Sequence, residues 1–214
     1  MEFISQLQLT FAFVIFLTVV IMNVEKKNTT LILSYLLQSS MLVVLLSIDA
    51  FHKSSLEIGL ITAILFIIKV IIAPQVLLRI LRQAKLHLSA STYLNVPMTL
   101  GSLALLCIFA QSDVFSPFTN LIPILRILLI GSILMSLFLT INRKGAISQI
   151  IGVLSLDNCI FAFGYFLGLE QSIALEIGLL FDVFFWIIIS GIFVRMILTH
   201  YGTLDVTELR GLKK

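Results

Sequence analysis

The sequence has few charged residues for its length. Only 12% of its 214 residues are charged and 59% are hydrophobic, with a mean hydropathy of +1.14. Soluble domains carry about 25% charged residues, because their surfaces must be solvated. The composition therefore excludes a soluble globular domain and indicates a chain that lies in a lipid bilayer.

Cysteine is also scarce. Cys107 and Cys159 both fall inside apolar runs and form no CxxC pair, which excludes a disulfide framework, an iron–sulfur motif and a zinc motif. The three histidines show no spacing typical of metal ligands. We expect both cysteines to be small buried apolar residues, and we expect the chain to bind no metal and no cofactor.

A clustered basic face is missing as well, although the isoelectric point is near 9.0. The lysines and arginines lie between apolar runs, which argues against a nucleic-acid partner. The N-terminal stretch MEFISQLQLT lacks the basic region of a signal peptide. We therefore expect the first apolar run to be retained as a membrane span.

Long apolar runs are abundant, and they predict seven transmembrane helices. Strands are excluded because the runs are too long for a barrel and do not alternate between apolar and polar residues. The fold class is thus an all-α polytopic helix bundle. The fourth span is the weakest, being short and opened by Asn95 and Pro97. The predicted spans are 4–22, 30–48, 56–79, 96–111, 121–141, 147–168 and 172–198.

The basic residues orient these spans. Eleven of the 14 lysines and arginines fall on one side of the predicted bundle, and the positive-inside rule makes that side cytoplasmic. The N-terminus is then outside and the C-terminus inside, in a multi-pass protein of the cell inner membrane. These eleven are Lys26, Lys27, Arg79, Arg82, Lys85, Arg143, Lys144, Arg195, Arg210, Lys213 and Lys214.

Two parts of the sequence are similar to each other. A shift of 119 residues lays LEIGL at 56–60 on LEIGL at 175–179 and Asn23 on Asn142. This suggests a parallel repeat of spans one to three and five to seven. The expected organisation is an N-terminal three-helix unit with its basic loop (1–95), a connector helix (96–120), a C-terminal three-helix unit (121–198) and a cytoplasmic tail (199–214).

Three ionisable residues lie deep inside predicted spans. Asp157 and Asp182 are each about ten residues into a span, or about 15 Å along a helix, and Lys69 is at a similar depth. A hydrocarbon core is about 30 Å thick, so all three are expected near its middle. Pro74 follows Lys69 closely and predicts a helix kink.

Buried ionisable residues in a membrane usually face a bundle interior or a water-filled cavity. Desolvation disfavours the charged forms of both acids and lysines, which suits a proton relay of Asp157, Asp182 and Lys69. Gln38 and Asn158 are expected to hold water between them. The alternative is a neutralised Lys–Asp pair that only holds helices together.

Two further acids are weaker candidates. Glu57 and Glu176 lie near the outer ends of spans three and seven. Their default interpretation is that of solvated interfacial acids. The alternative is that protons reach or leave the relay at these positions.

Three stretches resemble the hydrogenase-4 component E family. They are LTHYGTLDVTELRGL at 198–212, FIIKVIIAP at 66–74 and the Asp-Asn pair of span six. The resemblance covers nearly the whole chain. It implies a subunit, not catalytic on its own, of a hydrogenase-4 or formate-hydrogenlyase-like complex. The implied partners are antiporter-like and NuoH-like membrane subunits and a peripheral nickel–iron hydrogenase arm.

The last three spans of that family are in turn similar to the NuoK subunit of respiratory complex I. NuoK has a carboxylate in the middle of each of its last two helices, and these positions correspond to Asp157 and Asp182. NuoK usually has glutamates there, so the shorter aspartates require extra water or closer helices. Lys69 matches the component E pattern only. An independent secondary transporter and a purely structural scaffold of an antiporter-like complex stay open as alternatives.

Overall fold

A computed structural model of the chain describes residues 2–54, 56–83, 91–112, 114–115, 121–167 and 191. Within these ranges the regular structure is helical and contains no strand, which confirms the all-α class. The helices are α1 (Glu2–Val24), α2 (Asn28–Lys53), α3 (Leu56–Leu65), a π-helical segment (Phe66–Ile72), α4 (Ala73–Gln83), α5 (Val96–Gln111), α6 (Pro123–Asn142) and α7 (Ala146–Phe166).

The first six predicted spans all correspond to helix. By length and composition, four helical stretches can cross a membrane: Asn28–His52, Ile58–Arg82, Pro123–Asn142 and Ala146–Phe166. Leu9–Val24 and Val96–Gln111 are shorter apolar helices. The seventh predicted span lies outside the described residues except for Gly191. The total of seven spans and the orientation of the termini therefore stay predictions.

The third span is continuous but changes its winding where the kink was predicted. The π-helical segment separates α3 from α4 and ends just before Pro74, and the Ala73 amide bonds the Ile68 carbonyl five residues back. A proline ring clashes with the carbonyl four residues before it, here that of Val70. A wider turn relieves this clash. Lys69 is the buried residue of this wider turn.

Helix α6 packs against α1, α5 and α7, while α2 packs against α1, α7 and the third span. The buried side chains form two apolar clusters. The turn-end cluster contains Met22, Leu31, Ile32, Tyr35, Ala73, Leu77, Leu81, Leu139, Ile147, Ile151 and Leu154. The far-end cluster contains Ala12, Ile15, Val19, Leu42, Leu46, Ile61, Leu65, Leu103, Leu125, Leu129, Met135, Cys159, Phe161 and Ala162. Ile68 packs against both clusters, so the π-helical segment lies at the level between them.

The α1–α2 turn, the α6–α7 turn and the chain before α5 meet at one end of the bundle, the turn end. The Tyr93 amide donates to the Asn142 carbonyl over 2.9 Å, and the Lys144 amide donates to the Ser91 carbonyl over 3.1 Å. The basic loops after the first and fifth predicted spans therefore lie at the same end.

Arg143 differs from its expected place in a solvated loop. Its side chain is fully buried and donates to the Met22 carbonyl in the last turn of α1. Helix C-termini leave carbonyls unpaired and attract cations, so an arginine at the neighbouring turn is drawn inward. Burial lowers the pKa of Arg143 to about 10, and the side chain therefore stays charged at neutral pH.

Gly152 sets the distance between α6 and α7. A Cβ atom at this position would lie 2.6 Å from Thr140 Oγ1 and 3.0 Å from Thr140 Cα. We predict that Gly152→Ala destabilises the protein by about 1–3 kcal/mol, because the backbones must separate. The measurement is the thermal unfolding midpoint of the protein in detergent.

Gly101→Ala is the matched control, since nothing lies within 4 Å of a Cβ atom there. Equal midpoints for the two variants would show that α6 and α7 do not approach as closely as described.

Candidate functional site

A buried ion pair joins the third span to α7. Lys69 Nζ lies 2.6 Å from Asp157 Oδ2, and the side chains are 5% and 24% exposed. The π-helical segment supplies Lys69 and the middle of α7 supplies Asp157. The structure thus brings together two of the three residues predicted to share one depth.

The Lys69 ammonium has two further neighbours on α7. It donates to Asn158 Oδ1 over 3.0 Å, and it lies 5.6 Å from the centre of the Phe161 ring. Carboxylate, amide oxygen and aromatic face all stabilise a cation. This environment holds the ammonium where lipid alone would exclude it.

The orientation of Asn158 is set from α2. Its amide nitrogen donates to Ser39 Oγ over 2.9 Å and to Gln38 Oε1 over 3.3 Å. Asn158, Gln38 and Ser39 are all fully buried. Because α2 occupies the nitrogen of the amide, the oxygen is left to face Lys69.

The polar contacts continue from α2 to α6. Gln38 Nε2 lies 3.4 Å from Cys159 Sγ, which in turn lies 3.3 Å from Ser136 Oγ. Ser136 and Ser155 hydroxyls are 3.2 Å apart. Cys159 is buried as predicted, but it contacts polar groups and does not act as a simple apolar residue. Cys107 is only partly buried.

The contacts between α2 and α7 keep a nearly constant sequence separation. It is 119 for Ser39 and Asn158, and 120 for Asn28 and Ser148, whose side chains bond over 3.2 Å at the turn end. Antiparallel helices would give separations that change along the contact, so these two helices run parallel and in register. These separations are close to the shift of 119 residues found in the sequence, and the repeat itself stays a prediction.

The chemistry of the site follows from its residue types. Lysine and aspartate can exchange a proton over a 2.6 Å contact. Asparagine and glutamine amides hold hydrogen bonds but do not exchange protons readily, so Asn158 and Gln38 position the pair.

Of the other predicted site residues, Asp182 and Glu176 lie outside the described residues. Glu57 is the second residue of α3, and its side chain is not described. Sequence reasoning missed Ser39, Ser136 and Phe161. The shift of 119 residues places Ser39 opposite Asn158 and could have identified it. Within the described ranges, no three His, Cys, Asp or Glu side chains gather as a metal site would require.

The chain is similar to hydrogenase-4 component E of Escherichia coli strain K12. The two are 29% identical over 153 residues, which cover 69% of this chain and 70% of the relative. The match to hydrogenase-4 component E of Shigella flexneri has the same extent. The uncharacterized protein Rv0085 of Mycobacterium tuberculosis is 33% identical over 81 residues, 38% of this chain and 37% of that protein. No family profile matches the chain, and no solved structure matches it.

These similarities and the apolar helices indicate a membrane protein that is related to a hydrogenase subunit. The chain is a homologue of hydrogenase-4 component E. The resemblance to the component E family is thereby confirmed over 153 residues, while the likeness to NuoK stays a prediction. The homologue and the apolar helices together indicate a membrane location.

The Lys69–Asp157 ion pair is expected to stabilise the folded protein. Removing one partner of a buried pair costs about 3–5 kcal/mol. Because Asp157 is 24% exposed, we expect a smaller loss for Lys69→Met. Combining it with Asp157→Asn should recover much of the loss, since neither charge is then left unpaired. The thermal midpoints of the single and double variants in detergent measure the coupling between the two residues.

Ser132→Ala is the control, because Ser132 is equally buried but bonds only within α6. Purely additive losses in the double variant would mean that the two charges do not interact in the folded protein.

Proposed function

We propose that this chain is a membrane-embedded accessory subunit of a hydrogenase-4 or formate-hydrogenlyase-like complex related to complex I. In this proposal it anchors the redox arm, contributes to proton translocation and is not catalytic on its own. The observation that carries it is the Lys69–Asp157 pair, buried between the two apolar clusters of a component E homologue.

The proposed mechanism is proton exchange at this pair. When a proton reaches Asp157 from its exposed side, the neutral acid no longer holds Lys69 electrostatically. Lys69 can then release a proton elsewhere and return as the amine to accept another. The wider π-helical turn and the long lysine side chain provide freedom for this movement.

Asp182 is the proposed partner of Asp157 in the relay. In the sequence it precedes Gly191 by nine residues, or about 13 Å along a helix. A Cβ atom at Gly191 would lie 3.9 Å from Ile80 Cδ1 on α4. Ile80 follows Lys69 by eleven residues, so the seventh span, as predicted, would carry Asp182 close to the level of Lys69. Glu176 and Glu57 are proposed only as accessory acids near the outer surface.

The proposed partners are antiporter-like and NuoH-like membrane subunits and a peripheral nickel–iron hydrogenase arm, in the cell inner membrane. The name of the relative, component E, describes one part of an assembly. The basic tail 199–214 is the proposed segment for docking another subunit at the cytoplasmic surface.

A structural scaffold is the second candidate, because a specific observation favours it. The Lys69–Asp157 contact is short, and Asn158 and α2 support it on one side. A pair that never separates would hold the third span against α7 without moving protons. The same variants separate the two functions.

Proton translocation tests the proposal. Asp157→Asn keeps the size of the side chain but cannot take up a proton, so we expect the intact complex to assemble with lost coupling. The double variant Lys69→Met with Asp157→Asn should assemble and stay uncoupled. The measurement is the fluorescence quenching of a pH-sensitive acridine dye in inverted membrane vesicles, divided by the rate of hydrogen formation.

Asp157→Glu is the conservative control and should retain coupling, because the longer acid can still bind Lys69 and a proton. Normal coupling in the double variant would reject the relay and favour the scaffold. Asp182→Asn should behave like Asp157→Asn if the relay includes both acids.

Topology and assembly give an independent prediction. Seven spans with the N-terminus outside place the C-terminus in the cytoplasm, so green fluorescent protein fused after Lys214 should fluoresce. Alkaline phosphatase fused there should be inactive. An active phosphatase fusion would contradict the predicted orientation.

The tagged full-length chain, solubilised in mild detergent, should also co-purify with a nickel–iron large subunit identified by mass spectrometry. Co-purification with antiporter-like subunits alone would place the chain in an assembly that lacks the hydrogenase arm.

A further inference from the structure

The hydroxyl group of Tyr35 is a buried polar group that the proposed ion-pair mechanism does not use. Tyr35 is fully buried in the turn-end cluster. Its hydroxyl makes no hydrogen bond of acceptable geometry within the described residues. A buried hydroxyl without a partner costs about 1–3 kcal/mol. Phenylalanine would fill the same space without this cost, so packing alone does not account for a tyrosine.

Tyr35 lies directly beside the polar network. It precedes Ser39 by four residues on α2, and side chains at this spacing lie on one face of a helix, one turn apart. Ser39 accepts a hydrogen bond from Asn158, and its own O–H group can still donate.

We propose that Tyr35 and Ser39 are proton-transfer residues that connect the Lys69–Asp157 pair with the turn end of the bundle. This inference rests on the proposed function and deepens it. It adds a direction to the relay, because Ser39 bonds Asn158 at the level of the pair and Tyr35, one helical turn earlier, belongs to the turn-end cluster.

The route passes around the amide of Asn158. That amide bonds Lys69 at its oxygen over 3.0 Å and Ser39 at its nitrogen over 2.9 Å, so one amide group separates the ammonium from the hydroxyl. The flexible four-carbon stem of Lys69 allows the ammonium to exchange the amide oxygen for the hydroxyl.

The transfer conserves protons at each step. Lys69 Nζ gives one proton to Ser39 Oγ as Ser39 passes its own proton to the Tyr35 oxygen. In the same concerted step Tyr35 passes its original hydroxyl proton to a water molecule that enters from the turn end, so neither hydroxyl oxygen carries two protons at any point. Both hydroxyls end with one proton, and the neutral amine of Lys69 regains a proton delivered through Asp157.

The apolar cluster controls this last step. Leu31 and Ile32 are buried on the turn that precedes Tyr35, and they separate it from the Asn28–Ser148 pair at the turn end. Water must enter this layer before Tyr35 can release its proton. A dry layer therefore prevents protons from leaking when the complex is idle.

Tyr35→Phe tests the inference in the intact complex. We expect normal accumulation and normal hydrogen formation, while proton translocation per hydrogen formed falls by more than half in the acridine assay of inverted vesicles. Tyr165→Phe is the matched control, because Tyr165 is a partly buried tyrosine that packs against the far-end cluster. It should leave the ratio unchanged.

Ser39→Ala removes the other hydroxyl group of the proposed route. It tests the route independently if the Tyr35→Phe protein fails to accumulate. It should lower the same ratio, and the double variant should be no worse than either single variant, since both act on one route. If Asp157→Asn abolishes translocation but Tyr35→Phe and Ser39→Ala are both normal, the hydroxyl route is wrong and the proposed function stands. If Asp157→Asn is normal as well, the proposed function fails and this inference fails with it.

Discussion

The rest of the structure depends on the bond between the Lys69 ammonium and the Asp157 carboxylate. Neither charge is stable alone at this depth in lipid, because nothing there replaces the water lost from it. Together they neutralise each other at 2.6 Å, but only if the third span and α7 stay in contact. The neighbouring features, from the wider turn before Pro74 to the amide of Asn158, maintain this contact.

Helix α2 stabilises the ion pair indirectly, through Asn158. Ser39 and Gln38 bond the nitrogen of Asn158 and so turn its oxygen toward Lys69. Helices α2 and α7 run parallel and in register here, as the separations of 119 residues for Ser39 and Asn158 and 120 for Asn28 and Ser148 show. A parallel repeat provides such a register directly. If the repeat is real, its halves have diverged, because the shift pairs Asp157 with Gln38.

Much of the helical fold could be predicted from the sequence, because membrane spans depend on composition over about 20 residues. The runs 121–141 and 147–168 correspond closely to α6 and α7. The burial of Arg143 could not be predicted, because it depends on an unpaired carbonyl of α1 that only the packed bundle brings near. From the sequence, only Pro74 indicated a disturbed helix at the place where the π-helical segment lies. A sequence indicates that a helix is disturbed there but not how the disturbance is absorbed.

The candidate site was predictable to a different degree. Charge in an apolar run is rare, so Lys69 and Asp157 could be identified by depth alone. Ser136 and Phe161 could not, because serines and phenylalanines are common in membrane helices and serines usually bond their own backbone. Their roles depend on which helix faces they occupy, and this follows from packing. The apolar surroundings of Tyr35 likewise appear only in three dimensions, where it belongs to one buried cluster with Ala73 and Leu139.

In the proposed relay, Asp157 gains and loses a proton while the complex works. Infrared difference spectroscopy of the intact complex, with Asp157→Asn as the reference, measures this directly. Proton exchange at Asp157 predicts a carboxylic acid band that appears during turnover, shifts in deuterium oxide and is missing from the Asp157→Asn complex. A carboxylate that stays ionised throughout turnover would contradict it and leave the pair with a structural role only.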